Sequence, residues 1–440
     1  MTGTGPSAAG GPLFLRNSTM EATGITAEFD PLHNGHAYLI EEARSLTGCD
    51  AVVVAMSGDY VQRGEPALTD KWSRTEAALA SGADLVIEIP VLFCLGNASQ
   101  YAKASVRLLE AAGCTHIAFG SESGETELIE KTAGNINRMA RCLEAEISSL
   151  SKEGLSYPAA RAEAYAALRK EEVSAGEVAK ELSVLREPND ILALEYILSM
   201  KTSRPLAIKR RGAPHSCGGL KTGEYQSASA IRKLLHDRRV KGADLFEGLS
   251  DWIPEASLEI LNRPPLTFTD DWTAVLRYAV MSSDPAFIED CPSGGEGLGW
   301  LLKKAVHDGQ SFGEIISSVK SKRYTYTRIS RLCMQTVLGI TRTKYPYDVP
   351  YYARVLGFSS KGRELLSVSA KDVSCSLPFI TNINKEWRRL GDDARNMLGL
   401  DVHASDIYNL VTGRSNASDS DHVRTPVMKD AAEQMIQKEL

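Results

Sequence analysis

The stretch Thr23 to Leu39, TGITAEFDPLHNGHAYL, decides how this 440-residue chain is read. Gly24 to Phe29 reads as a short strand, Asp30, Pro31 and Leu32 as a tight loop, and Gly35 as the opening of a helix. His33 and His36 stand where loop becomes helix. A helix N-terminus carries unpaired N–H groups and the positive end of the macrodipole, so it suits an anion such as a nucleotide phosphate. Gly35 removes a Cβ where backbone and phosphate would have to come close. Imidazoles there can donate hydrogen bonds to phosphate oxygens as charge builds during attack at an α-phosphorus. The four letters alone weigh evenly against a chance pair or a half-built metal site.

The surroundings tip that balance. A second apolar run, Ala51 to Met56, arrives after a helix-length gap and completes a βα phosphate-binding unit with histidines in place of a glycine fingerprint. Further β-branched runs follow at 84–90, 114–119 and 205–209, separated by helical stretches such as Asp70 to Ser81 and Asn97 to Ala112. Gly82 and Gly113 fall where helix C-caps belong. Near-continuous apolar strands alternating with helices indicate an α/β fold, a parallel sheet covered on both faces. Ligands of such sheets gather beyond the strand C-termini, where His33, His36, Ser57-Gly58 and Gly120-Ser121-Glu122 fall. A helical insertion is expected over about 125–185, and Glu187 to Asp190 caps another helix. The catalytic domain is placed at 20–240. Beyond it helical periodicity dominates, broken at Pro254, Pro264-Pro265 and Pro292, so 241–440 is expected to be a mainly α-helical domain. From about Ser415 a polar turn leads to a terminal helix or tail. Residues 1–19, rich in Gly, Ser, Pro and Thr, read as a flexible leader, with Met20 as an alternative start.

A net charge of −6 and a pI near 5.9 argue against a wholesale nucleic-acid coat and leave room for a local basic patch. The eight cysteines are scattered and never form C-x-x-C, which points to reduced thiols in a cytoplasmic protein and away from a disulfide scaffold. No apolar run is long enough to span a bilayer, so no membrane partner is expected. Tyr345 to Ala353, YPYDVPYYA, resembles an epitope tag but leads directly into Arg354-Val355-Leu356-Gly357 and is read as native.

Three further clusters carry chemistry. Gln62-Arg63-Gly64-Glu65 follows the second strand, where Arg63 could hold a carboxylate substrate, and Lys71 or Arg74 on the next helix could hold a leaving pyrophosphate. A solvated face is the competing reading for Lys71. Ser227 and Ser229 at a helix start, with Arg232 one turn on, make another anion site or an ordinary capped helix. In Lys320 to Arg331, KSKRYTYTRISR, basic residues alternate with Tyr324 and Tyr326, as suits phosphates and unpaired bases, or equally a helix with its tyrosines packed inward. His116 reads as a core histidine, His215 lies in a loop, and no third His or Cys joins His33 and His36, so no metal site is expected.

With those pieces in place the chain resembles the bacterial tRNA(Met) cytidine acetate ligase family of the nucleotidyltransferase superfamily. The resemblance rests on Glu28 to His36, on Met56-Ser57-Gly58 with Gln62 to Pro66, and on Phe119 to Glu122. It continues in Pro188 to Leu192, Ile208 to Arg210, Ser227 to Arg232, and Lys322 to Thr325 with Thr327-Arg328. Asp30 and Leu32 stand where that family is expected to carry Asn and Phe, and the loop His215 to Glu224 is long. The resemblance implies a nucleotidyltransferase-like (Rossmann-like, HUP-type) domain followed by the helical one. It implies that ATP, accompanied by Mg²⁺, and acetate form acetyl-adenylate with release of pyrophosphate. The acetyl group then passes to N4 of the wobble cytidine of elongator tRNA(Met). ATP contacts are expected from Thr26, Ala27, Glu28, Phe29, Pro31, His33, Gly35, His36, Gly120, Asn189 and Arg210, joined by Ser227, Ser229 and Arg232. His33, His36, Arg63 and Lys71 are expected to be catalytic; Lys322, Arg323, Tyr324, Arg328 and Arg331 are expected on tRNA. A small-molecule adenylyl- or cytidylyltransferase would use the same sheet but leave the basic-aromatic run without a task. A non-enzymatic RNA-binding protein would not need His33, Gly35, His36 and Ser229 intact.

Overall fold

The computed structural model describes residues 20–211, 225–263, 265–370, 377–414 and 416–429. The leader, the loop around His215 and the tail from 430 lie outside the described residues. The strands are β1 (Ala22–Ala27), β2 (Ala51–Ser57), β3 (Tyr60–Val61), β4 (Glu65–Pro66), β5 (Leu85–Ile89), β6 (His116–Ser121), β7 (Arg204–Lys209), β8 (Ala353–Phe358), β9 (Phe379–Ile380) and β10 (Val427–Met428). β3 and β4 form a small antiparallel hairpin. The others make one sheet in the order β10-β8-β5-β2-β1-β6-β7, with β9 also paired to β8. The pairs from β5 to β7 are all parallel; β8 runs antiparallel to β5.

The expected α/β architecture is therefore present, with the parallel sheet extended into a mixed one. All seven residues of β2 are buried, as a strand covered on both faces requires. Its alternate side chains enter two different cores. Ala51, Val53 and Ala55 pack with Leu85, Ile87, Leu108 and Leu109 in one. Val52, Val54 and Met56 pack with Ile25, Ile40 and Ala43 in the other. Helix Ala98–Ala111 thus covers one face, and helix Asn34–Thr47 the opposite one. Gly82 and Gly113 each follow a helix cap with positive φ, 104° and 93°. The insertion is four helices, Thr126–Arg138, Ala140–Lys152, Tyr157–Arg169 and Ala175–Val184. They are pinned by Arg169, whose Nε lies 2.9 Å from Glu181 Oε2.

The C-terminal half keeps to the mainly helical reading, with one addition. It is mostly helix, yet β8 to β10 return to the sheet, and one hydrophobic core runs from Ala22 to Tyr408 through both halves. A six-residue apolar run such as ARVLGF does not distinguish strand from helix by periodicity. The open edge of β5 makes it a strand. The preceding YPYDVPYY segment is part of the fold: Tyr352 is fully buried, and its hydroxyl donates to Asp401.

A buried ion network fastens this return. Lys71 Nζ lies 2.7 Å from both Glu88 Oε1 on β5 and Asp421 Oδ2 near the C-terminus. Arg354 on β8 reaches the same two carboxylates at 3.1 and 2.7 Å. Asp59 accepts from the Lys71 backbone N–H at 2.8 Å and from Ser405 Oγ at 2.7 Å. This corrects the expectation that Lys71 is catalytic. Its side chain is fully buried, away from the cavity described below, and its ammonium is already taken by three carboxylates, Glu88, Asp421 and Asp59. Burial and Arg354 disfavour its charge, but Asp421, Glu88 and Asp59 more than restore it. Lys71→Met should leave Glu88 and Asp421 short of a counter-charge and cost about 3–5 kcal/mol. Denaturant unfolding monitored by circular dichroism measures this; a loss under about 1 kcal/mol would show that the network does not hold the two halves together.

Candidate active site

β1 pairs with β2 on one side and β6 on the other, and the chain leaves β1 and β6 toward different flanks. A cavity of about 550 Å³ lies beyond the C-terminal ends of β1, β6 and β7. The starts of helices Asn34–Thr47, Ala98–Ala111, Pro188–Ser199, Ala228–Lys241 and Tyr326–Leu338 contribute to its wall. The structure brings together Thr26, Ala27, Glu28, His33, Gly35, His36, Arg63, Gly120, Asn189, Arg210, Ser227, Ser229 and Arg232 around it. Phe29 and Pro31 are not in the wall. Both are buried, because the loop turns inward here: Phe29 has a φ of 48° and packs edge-on to the His36 ring, with ring centroids 5.1 Å apart, as a buttress.

The two histidines form a capping box. His33 is the N-cap, and its Nδ1 accepts from the Gly35 N–H at 3.1 Å; His36 Nδ1 accepts from the His33 N–H at 3.3 Å. Both Nδ1 atoms being acceptors, each neutral ring carries its proton on Nε2 and can donate it. The rings stack at 3.7 Å between centroids. Burial, then His33, then Arg210 push the His36 pKa well below its usual value, so His36 is a neutral donor.

The open N–H groups expected at this helix start are all engaged. The Asn34 N–H donates to Trp252 O at 2.8 Å, Gly35 to His33 Nδ1, and His36 and Ala37 to His33 O. Gly35 has a different reason as well: a Cβ there would stand 3.0 Å from His33 Cε1 and displace the capping ring. The helix dipole and the His36 Nε2–H remain to meet an anion.

On the far wall Glu122, at the end of β6, accepts from the Asp190 N–H at 3.0 Å, while Asp190 Oδ1 accepts from the Glu122 N–H at 3.1 Å. Asn189 donates to the same Glu122 and accepts from Arg210 Nη1 at 3.3 Å. Arg210 lies across Gly120, where a Cβ would meet its Cγ at 3.3 Å. Ser227 Oγ caps its helix by accepting from Ala230 N–H at 3.2 Å. Arg232 is less available than expected, because its guanidinium sits on Asp30 Oδ2 at 3.0 Å and Glu65 Oε2 at 3.5 Å. Arg74 is a structural clamp, donating to the carbonyls of Glu28, Ser57, Gly58 and Thr69. Arg63, in the cavity wall near Glu28, makes no hydrogen bond or ion pair with a described residue.

Sequence reasoning missed the aromatic wall of Tyr38, Tyr101, Phe119, Tyr196 and Tyr225. Tyr101 and Tyr196 stand at helix positions that read as core, and only the tertiary arrangement opens them to a cavity. Tyr38 stacks on Tyr225 and carries Arg211 4.3 Å over its ring.

The basic-aromatic run divides. Thr325 caps helix Tyr326–Leu338, which packs on the β3–β4 hairpin so closely that a Cβ on Gly64 would meet Arg331 N at 2.3 Å. Arg328 donates to the carbonyls of Ser293 and Gly294, and Arg331 to that of Gln62. Burial and then Arg328 lower the Arg331 pKa to about 10. These two are packing residues first. Lys322 and Arg323 are exposed, with Arg323 on Glu296 at 2.9 Å, and Tyr324 donates to Glu296 O. The same segment sends Thr327 into the cavity wall. Among the described residues no group of three or more His, Cys, Asp or Glu is placed to hold a metal ion, and no helix is long and apolar enough to cross a membrane.

Comparison with known proteins fits this geometry. The family described as HIGH Nucleotidyl Transferase matches residues 20–422. The tRNA(Met) cytidine acetate ligase of Clostridium perfringens (strain SM101 / Type A) is 34% identical over 419 residues, 93% of this chain and 100% of that protein. That of Caldanaerobacter subterraneus subsp. tengcongensis is 35% identical over 403 residues, 89% and 95% of the two chains. The crystal structure of Thermotoga maritima TmcAL bound with alpha-thio ATP superposes with a TM-score of 0.81 at 31% identity, covering 93% of this chain and 99% of that one. A strand–loop–helix with a histidine-capped start, a crevice at the β1/β6 divide and similarity along nearly the whole chain place this protein in the HIGH nucleotidyl transferase family, among the tRNA(Met) cytidine acetate ligases.

Proposed function

We propose that this chain is an ATP-dependent tRNA-modifying ligase that activates acetate as acetyl-adenylate and acetylates N4 of the wobble cytidine of elongator tRNA(Met). One observation carries the reading: a single cavity joins the histidine-capped helix start to the start of helix Tyr326–Leu338, through Thr327, so a nucleotide site and a candidate RNA surface share one space. The α-phosphate belongs against the Nε2–H groups of His33 and His36, which stabilise charge as the acetate oxygen attacks and pyrophosphate leaves. Arg210, steadied by Asn189, and Ser227 and Ser229 fit the remaining phosphates and ribose. Arg63 is the cation best placed to meet acetate. Mg²⁺ would enter on the phosphates of ATP, since the described residues build no carboxylate cluster for it. Adenylation turns acetate into an acyl donor with a good leaving group, and positioning beside the cytosine amine does much of the rest. A cytoplasmic location goes with this substrate.

Nucleoside mass spectrometry of elongator tRNA(Met) incubated with the protein, ATP and acetate tests the reading, and a peak for N4-acetylcytidine is expected. Pyrophosphate exchange that proceeds without acetate would point instead to a small-molecule nucleotidyltransferase.

Replacing His36 with Ala removes a transition-state donor and half of the capping box, so acetate-dependent ATP–pyrophosphate exchange should fall by about 10²-fold or more. Exchange at the wild-type rate would place the α-phosphate elsewhere. A second substitution addresses the RNA surface. Lys322→Ala with Arg323→Ala should leave exchange and melting temperature nearly unchanged but weaken tRNA binding, flattening its salt dependence by about one unit of slope per lost phosphate contact. Arg328→Ala should instead lower thermal stability too, because its guanidinium holds two backbone carbonyls. Unchanged tRNA affinity in the double variant would move the RNA surface away from this segment.

A further inference from the structure

Acetyl transfer to an exocyclic amine leaves a proton to be placed, and the cavity offers few acceptors. Among its described lining residues, Glu28 is the one carboxylate; the other charged groups there are Arg63, Lys209, Arg210, Arg211 and Arg232. His36 is a poor acceptor, since its Nδ1 already receives a backbone N–H and its Nε2 carries the proton that faces phosphate. A lone carboxylate in a cavity whose other charged described residues are cations calls for a task.

Glu28 is held for one. Its carbonyl accepts from Arg74 Nη1 at 2.7 Å, which fixes the backbone, and its Oε1 accepts from the Gln62 N–H at 2.8 Å. No described residue hydrogen-bonds Oε2, and the half-buried side chain forms part of the cavity wall beside Tyr101 and Tyr196. The charged groups facing it are Arg63 from the hairpin, Asp30 from its own loop and Arg232 from helix Ala228–Lys241.

We propose that Glu28 Oε2 is the base that takes the cytidine N4 proton during acetyl transfer; this rests on the acetate-ligase reading above. The N4 lone pair attacks the acetyl carbonyl carbon and a C–N bond forms. The C–O bond of the mixed anhydride breaks, its electron pair leaving with AMP, and one N4 proton passes to Glu28. Adenylation itself releases no proton from acetate, so Glu28 serves the second half-reaction. Burial raises the Glu28 pKa, while Arg63 and the Gln62 N–H oppose the rise, which brings the base closer to neutral pH, where proton transfer is most effective.

Glu28→Gln preserves the bond to Gln62 and removes the base. Single-turnover acetylation of tRNA should then fall by about 10²-fold more than acetate-dependent pyrophosphate exchange, which is measured on the same variant because Glu28 also lines the cavity expected to hold ATP. The wild-type transfer rate should rise with pH and level off above the Glu28 pKa; the Gln variant should lose that acidic limb. Glu28→Asp, whose carboxylate is withdrawn by one methylene, should be slow yet keep the limb. Transfer at the wild-type rate in the Gln variant, or an equal fall in exchange and transfer, would overturn the proposal. Failure of the underlying reading is distinct: the wild-type protein would then yield no N4-acetylcytidine at all.

Discussion

The central constraint in this molecule is that β1 has a parallel strand on each side, β2 and β6. From β1 the chain winds outward through β2 to β5 in one direction and through β6 to β7 in the other. The connections therefore cannot close over the C-terminal ends of β1 and β6, and a crevice is left there. Thr26 to His36 end β1 at that crevice, and Gly120 ends β6 at it. The ligand site follows from topology before any side chain is considered.

Chemistry is then added by two short locks. In the first, His33 and His36 cap a helix with the same Nδ1 atoms that fix their tautomers, so structural and donor roles reside on opposite sides of each ring. In the second, the Glu122 and Asp190 carboxylates each accept the other's backbone N–H across the ends of β6 and helix Pro188–Ser199, presenting Asn189 and Arg210 on a rigid frame. Neither lock needs a metal or a mobile loop.

The C-terminal half is bound into this frame. β8 covers the β5 edge, and Arg354, Lys71, Glu88 and Asp421 neutralise one another beneath it. Helix Tyr326–Leu338 rests on the β3–β4 hairpin, which also carries Gln62 and Arg63. The segment proposed to meet tRNA is thereby coupled to the hairpin that contributes Gln62 and Arg63 to the cavity wall. Glu28 is the point where both meet, through Gln62 on one side and β1 on the other.

The sequence by itself determined the parallel core, the helix starts and most of the crevice. Those signals are local: apolar runs at 51–56 and 84–90, glycines after helices, histidines at a helix start. It also indicated Gly120, Asn189 and Arg210 through a pattern of motifs in order along the chain. What only the tertiary structure decided were matters of partnership across long separations. Lys71 looks like an available cation until Asp421, 350 residues away, takes its charge. Arg232, Arg328 and Arg331 look alike in sequence to Arg63, yet backbone carbonyls or carboxylates occupy the first three, while the last makes no hydrogen bond or ion pair with a described residue. β8 is a strand because β5 had an open edge, and Tyr101 and Tyr196 are walls because helix packing left space beside them. A side chain's type is written in the sequence; whether its charge or face is already satisfied depends on neighbours that only folding brings near.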